Sequence, residues 1–228
     1  MMDEAPDIPA GFWHFSIDTV LPSLLAGLQM TLLLLVASAI CGMLLGLALA
    51  LCRLSPYRWL RWPAAIYVGM FRGTPLLLQI LFIYFALPPL LDIRLDAMPA
   101  GILALSLNAG AYLAEIFRAG VESIGKGQME AARALGMSYA LAMRLVILPQ
   151  SIKRLIPPVV NELAALAKDT SLVSVIALSE TLYVAQRLGA KYFRPWEVYV
   201  WAAAFYLIIV LVLSGLARRL ELRLQSRE

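Results

Sequence analysis

Asn161 and Glu162, then Lys168, Asp169, Thr170 and Ser171, fall inside a stretch, 156–179, that is otherwise apolar enough to cross a bilayer. A lysine or arginine at the bilayer centre costs ~2.5–3.5 kcal/mol on insertion scales, so such a group faces a partner or a watery cavity. One amide, two hydroxyls, two acids and a cation can pair with a charged or polar solute. Consecutive helical residues point about 100° apart, so Lys168 and Asp169 seek different partners. Seven-residue spacing places Asn161 with Lys168 on one face and Glu162 with Asp169 on another. One of these faces is expected to line a translocation path; for each single residue, tying spans together is the other use open to it.

A second set lies further upstream. Asn108, Tyr112 and Glu115 recur at spacings of four and three, hence on one helix face. Asn108 and Tyr112 are candidate pathway residues, and Glu115 is expected to pair with Arg118. In Arg72-Gly73-Thr74-Pro75, Pro75 removes a backbone hydrogen bond and kinks its helix; Gln79 follows one turn on. No catalytic set is written here. There is no G-x-x-x-x-G-K-[ST]; "GVESIGKGQ" has its glycines and lysine in the wrong order, and no strand precedes it. Neither H-E-x-x-H nor G-x-S-x-G occurs. His14 is the single histidine and supports no metal site. Cys41 and Cys52, eleven residues apart on one apolar helix, would sit roughly 16 Å apart and cannot bridge. The chain is not expected to be an enzyme or to bind a cofactor itself.

The elements that must hold these residues are membrane helices. The chain has 228 residues, 61% hydrophobic and 15% charged, whereas soluble domains are about 25% charged. One soluble core of this size cannot hide that balance. Net charge is +4, without a run of five like charges or an aromatic-laced basic stripe, so nucleic acid is not a partner.

Five stretches reach the length needed for ~30 Å of hydrocarbon, at about 21–52, 63–88, 97–118, 156–179 and 197–217. Residues 139–148 are apolar too, but they are few and contain Arg144, which places them at a membrane surface. Arg53, Arg58 and Arg61 follow the first span. Arg118, Lys126, Arg133, Arg144, Lys153 and Arg154 follow the third, and Arg218, Arg219, Arg223 and Arg227 follow the fifth. Thirteen of the 19 basic residues thus lie on one side. Lysine and arginine favour the cytoplasm, which puts the N-terminus outside and the C-terminus inside. The chain divides into an N-terminal segment, 1–20, and one transmembrane domain, 21–228, with a cytoplasmic loop at about 119–155. The acidic start lacks the basic region of a signal peptide; "GFWHFSI" reads as an interfacial aromatic segment or as part of a disordered tail. Gly42 and Gly46 make a small-xxx-small face, for packing within the subunit or for a dimer seam. An odd span count rules out simple tandem duplication, and the inverted halves of many secondary carriers are missing. A second copy or a paralogous chain is expected to complete any central path.

The cytoplasmic loop contains "EAARALGMSYALAMRLVILP" (130–149). Glu130 through Leu135 favour helix, Gly136 lets the chain turn out of it, and a second short helix follows. That helix carries Leu141, Leu145 and Leu148 on one face and is limited by Pro149 and Pro157–Pro158. Ala131, Ala132 and Ala134 leave a narrow surface for close packing in a groove of another protein.

The pattern Glu130-Ala131-Ala132, Gly136, Val146, Leu148-Pro149 resembles the EAA motif of bacterial ATP-binding-cassette (ABC) importer permeases, with Val146 where the family has Ile. "MFRGTPLLLQILFIYFALP" (70–88), "SLNAGAYLAEIFRAGVESIGKGQMEAARALG" (106–136) and "KDTSLVSVIALSE" (168–180) look like the polar amino acid branch, which serves histidine, arginine, glutamine, glutamate and cystine uptake. The resemblance covers the chain beyond its first twenty residues. It implies an all-α, type I importer-permease fold in the bacterial inner membrane, with a coupling helix docking in a cleft of a cytoplasmic ATPase. It also implies a pair of permeases, identical or paralogous, two ATPase subunits holding ATP and magnesium, and an external solute-binding protein. In the family the Arg72–Pro75 motif is structural or gating, and Arg72 is not assigned to substrate. A self-contained carrier or channel subunit is the alternative reading.

Overall fold

A computed structural model describes residues 11–225, all of its regular elements helical. The first ten residues of the expected N-terminal segment, and the last three of the chain with Arg227, lie outside the described residues. Helix α1 spans Phe12–Leu54. Helix α2, Arg58–Gly73, and α3, Leu76–Leu91, are bent by 105° at the break between them. The remaining helices are α4 Ala97–Glu122, α5 Lys126–Ala134, α6 over 139–169, α7 Thr181–Tyr192 and α8 Pro195–Gln225. Among the described residues, α1, α4 and α8 are long and apolar enough to cross a membrane, and the bent α2–α3 pair makes a fourth. The stretch 156–179 resolves into the end of α6 followed by a 3₁₀ turn, Thr170–Ile176.

Helix α4 is the most buried of the three long apolar helices. Its Ala104, Leu105, Ala109 and Leu113 join Leu34, Ile80, Leu166 and Val173 in the main core. The glycine face of α1 is what brings α1 so close to it. A Cβ on Gly42 would stand 3.1 Å from that of Ala109, and one on Gly46 only 2.7 Å from that of Leu113. Of the two uses left open by the sequence, packing within the subunit is therefore met.

The aromatic segment at 11–17 forms the first turns of α1 and is not part of a disordered tail. Phe15 is fully buried, edge-on to Tyr192 at 5.2 Å and beneath the Arg194 guanidinium at 4.5 Å. Its partners come from the far end of the chain, so local sequence carried no sign of them. Helix α6 also departs from expectation. It runs through Pro149, Pro157 and Pro158 instead of stopping at them. A wide turn at Met143–Ile147 immediately precedes Leu148-Pro149, so the amide that Pro149 lacks falls where the regular ladder is already interrupted.

Two polar clusters tie the helices together. Near the end of α4, Glu115 accepts from Arg53 Nη1 at 2.6 Å and pairs with Arg118, as expected; Arg118 also pairs with Glu122. At the other end, fully buried Glu180 caps α7. It accepts from the Leu182 and Tyr183 amides at 2.9 and 2.7 Å and from the Tyr206 hydroxyl at 2.5 Å. Beside it the Thr31 and Thr181 hydroxyls lie 2.8 Å apart, which joins α1, α7 and α8.

Gly46→Ala should lower stability by about 1–3 kcal/mol, the usual cost of overpacking, whereas Gly69→Ala, with open space around its Cβ, should not. Thermal unfolding of the purified chain in detergent reads the difference, and equal midpoints would refute the close α1–α4 seam. Glu180→Ala should cost at least about 1–3 kcal/mol in the same assay because it orphans buried donors; Glu180→Gln, which keeps an acceptor, should cost less.

Candidate functional site

The break between α2 and α3 follows from one missing amide. Pro75 cannot donate to the carbonyl of Phe71, four residues back. Thr74 and Pro75 turn extended, with ψ of 147° and 134°, and the Phe71 oxygen must find other donors. Gln79 Nε2 supplies one at 2.8 Å and Asn108 Nδ2 another at 3.4 Å. The Gln79 amide also donates to the Thr74 carbonyl and hydroxyl at 3.1 and 2.9 Å, and its Oε1 accepts from Asn108 at 3.0 Å. Buried Asn108 therefore holds the elbow, with both of its hydrogen-bonded contacts inside the protein. Gln79 does more than the sequence reading assigned to it. The signal was a carboxamide one turn after a proline within an apolar run.

The elbow carries Arg72 at its rim, over the Tyr112 ring at 5.2 Å. Half-buried Glu162 of α6 stands in electrostatic range of both Arg72 and Asp169. One face of α6 thus carries two carboxylates, of which Glu162 lies in electrostatic range of the guanidinium at the elbow's rim. The seven-residue spacing correctly grouped Glu162 with Asp169 but set Arg72 apart, since nothing local brings residue 72 to residue 162.

The other expected face borders α8. Lys168 and Ser171 line a cavity of about 410 Å³ with Tyr199 and Tyr206. Asn161 lines a separate one of about 300 Å³ with Ser214 and Arg218. Thr170 is fully buried and donates to the Ala167 carbonyl at 2.7 Å, which closes the end of α6. Among the described residues no group of three or more His, Cys, Asp or Glu side chains could hold a metal ion.

At the opposite end of α6 lies the Glu130–Pro149 segment. Helix α5 ends in a paired turn: the Gly136 amide bonds to Arg133 O at 3.0 Å and the Met137 amide to Ala132 O at 3.2 Å. Gly136 sits at φ +85°, the left-handed position that this terminator requires. Ser138 then caps α6 through the Leu141 amide at 3.3 Å. Glu130, Ala131, Ala134 and Pro149 are exposed, whereas Ala132 turns inward, so the three alanines do not form one surface. Leu135 is 80% exposed, and Leu141, Leu145, Leu148 and Ile152 form an uncovered apolar stripe along the start of α6.

Residues 42–226 match the family described as binding-protein-dependent transport system inner membrane component. The chain is 42% identical over 208 residues to the arginine transport system permease protein ArtQ of Bacillus subtilis (strain 168), covering 91% of this chain and 95% of the relative. It is 41% identical over 206 residues to the glutamine transport system permease protein GlnP of Escherichia coli (strain K12), covering 90% and 94%. A crystal structure of an amino acid ABC transporter with histidines superposes with a TM-score of 0.86 at 38% identity, covering 91% of this chain and 97% of that one. With the family match running along most of its length, the chain belongs to the binding-protein-dependent transport system inner membrane components.

Proposed function

We propose that this permease forms the translocation path for a polar or charged amino acid in an ATP-driven importer of the bacterial inner membrane. It would cross that membrane five times, with its N-terminus outside and its C-terminus cytoplasmic, in keeping with the thirteen basic residues gathered on one side. Its partners would be two copies of a cytoplasmic ATP-binding subunit, which hold ATP and magnesium, a second permease, identical or paralogous, and an extracytoplasmic solute-binding protein. The relatives named for arginine and glutamine transport support an amino acid as cargo.

One observation carries the reading: a single continuous helix links the two candidate regions. Helix α6 begins at Tyr139, just after the exposed Leu135–Gly136 turn, and ends with Glu162, Lys168 and Asp169. At about 1.5 Å per residue it is about 45 Å long. Docking its first turns, with α5, in an ATPase cleft would let closure of the ATPases tilt the far end against the elbow, a rigid-body switch of access. At that end Arg72 offers a site for the substrate carboxylate, and Glu162 with Asp169 a site for the ammonium. Two faces of α6 thereby acquire different work, with Lys168, Ser171 and Asn161 toward α8 serving packing or a side route.

Gly136→Asp, which loads charge onto the exposed turn, should abolish ATPase binding or coupling while leaving membrane insertion intact. Co-purification with the ATPase and ATP-dependent uptake into vesicles measure both; unaffected uptake would sink the coupling assignment. Arg72→Gln should weaken apparent substrate affinity about tenfold or more, as expected when one partner of a charge pair is removed, and should leave ATPase co-purification unchanged. Uptake indifferent to that change would remove Arg72 from the path.

A further inference from the structure

A cavity of about 330 Å³ opens where the end of α1 meets the start of α2 and the end of α4, lined by Arg53, Arg61, Trp62, Ala65, Arg118 and Glu122. It lies at the end of the bundle that carries the basic loops, on the opposite side of the chain from the Glu180 cluster. Its charges are unequal. Arg53 and Arg118 converge on Glu115, and Arg118 also reaches Glu122. Exposed Arg61 pairs with no carboxylate among the described residues. With Glu115 and Glu122 counted, the pocket keeps one positive charge in excess.

The surroundings are those of a bilayer interface. Tyr57, Trp59 and Trp62 are 61%, 71% and 62% exposed, and aromatic rings of this kind collect at headgroup level. From Trp62 the same face of α2 continues through Ile66 and Met70, 62% and 56% exposed. Steps of four residues keep these side chains in one row. A guanidinium pocket is thus followed, in the direction away from the helix start, by an apolar track left exposed among the described residues.

We propose that this pocket binds an anionic phospholipid, with its phosphodiester at Arg61 and an acyl chain along Trp62, Ile66 and Met70. A phosphodiester carries a single negative charge, which matches the single uncompensated arginine. Arg53 and Arg118, already oriented by Glu115, add donors without having to give up their carboxylate partners, because a guanidinium has five N–H groups. Basic pockets between helices at the cytoplasmic side hold such headgroups for this reason. The inference concerns neither cargo nor coupling, and it stands whether or not those assignments hold.

The test uses the full chain purified in detergent, alone and in complex with its ATPase, stripped of lipid and titrated with phosphatidylglycerol or phosphatidylcholine of identical acyl chains. Native mass spectrometry counts the adducts. The wild type should retain phosphatidylglycerol in preference to phosphatidylcholine, both alone and in the complex. Arg61→Gln should lower that retention about fivefold, the effect of losing ~1 kcal/mol from one basic residue at an anionic surface. Arg58→Gln, one turn away and outside the pocket, should leave it within experimental scatter. Equal retention of the two lipids, or an equal loss with Arg58→Gln, would overturn the proposal. Displacement of the lipid by millimolar inorganic phosphate would assign the pocket to a free anion instead. An adduct on the isolated chain that vanishes in the complex would assign it to the partner subunit; either result also overturns the lipid reading.

Discussion

The Phe71 carbonyl oxygen, deprived of its helical donor by Pro75, is held by the side-chain amides of Gln79 and Asn108. In water such a carbonyl would be solvated at little cost. In hydrocarbon an unsatisfied backbone group costs several kcal/mol, so irregular backbone survives there only when protein satisfies it. That one requirement makes the elbow possible, determines why two carboxamides stand in an apolar interior, and gives the turn a fixed shape. Arg72 is placed at its rim as a consequence, facing Tyr112 and the acidic face of α6.

The same constraint accounts for the other buried polar groups. Glu180 is shielded from solvent, yet its two oxygens have backbone and hydroxyl donors. Glu115 sits among guanidinium groups at the end of α4. These ties differ in kind from the α1–α4 seam, which is made of small residues and depends on shape. Without a hydrophobic force between helices in lipid, close packing and hydrogen bonds share the work of association. The protein uses packing along the middle of the α1–α4 seam, the Arg53–Glu115 pair at one end of it, and the Glu180 cluster to join α1 to α7 and α8. The α2–α3 elbow is held against α4 from one side.

Continuity of α6 is the feature on which the proposed coupling rests. Three prolines in its sequence argue for interruption, and each does remove a backbone donor. Interruption is avoided at the first because the wide turn at Met143–Ile147 already breaks the regular ladder just before it. The outcome is one long rod with an uncovered apolar stripe at one end and paired carboxylates near the other. A rod transmits a tilt; two short helices joined by a flexible bend would absorb it.

The membrane class, the polar stretches, the Gly136 turn and the Glu115–Arg118 pair could all be read from the residues alone. Each depends on composition or on spacings within one helix, and local geometry is enough to decide it. The pairing of Glu162 with Asp169 on one face belongs to the same category. Tertiary structure alone decided that Asn108 secures the elbow, that Arg72 comes within electrostatic range of Glu162, that Glu180 is sealed among three helices, and that Phe15 anchors the start of α1 beneath Arg194. These contacts join residues from 26 to 179 positions apart, in the Glu180–Tyr206 and Phe15–Arg194 pairs respectively. No helical period reaches that far. Only the packing of whole helices, driven by a glycine seam and by the need to satisfy every polar group in hydrocarbon, brings them together.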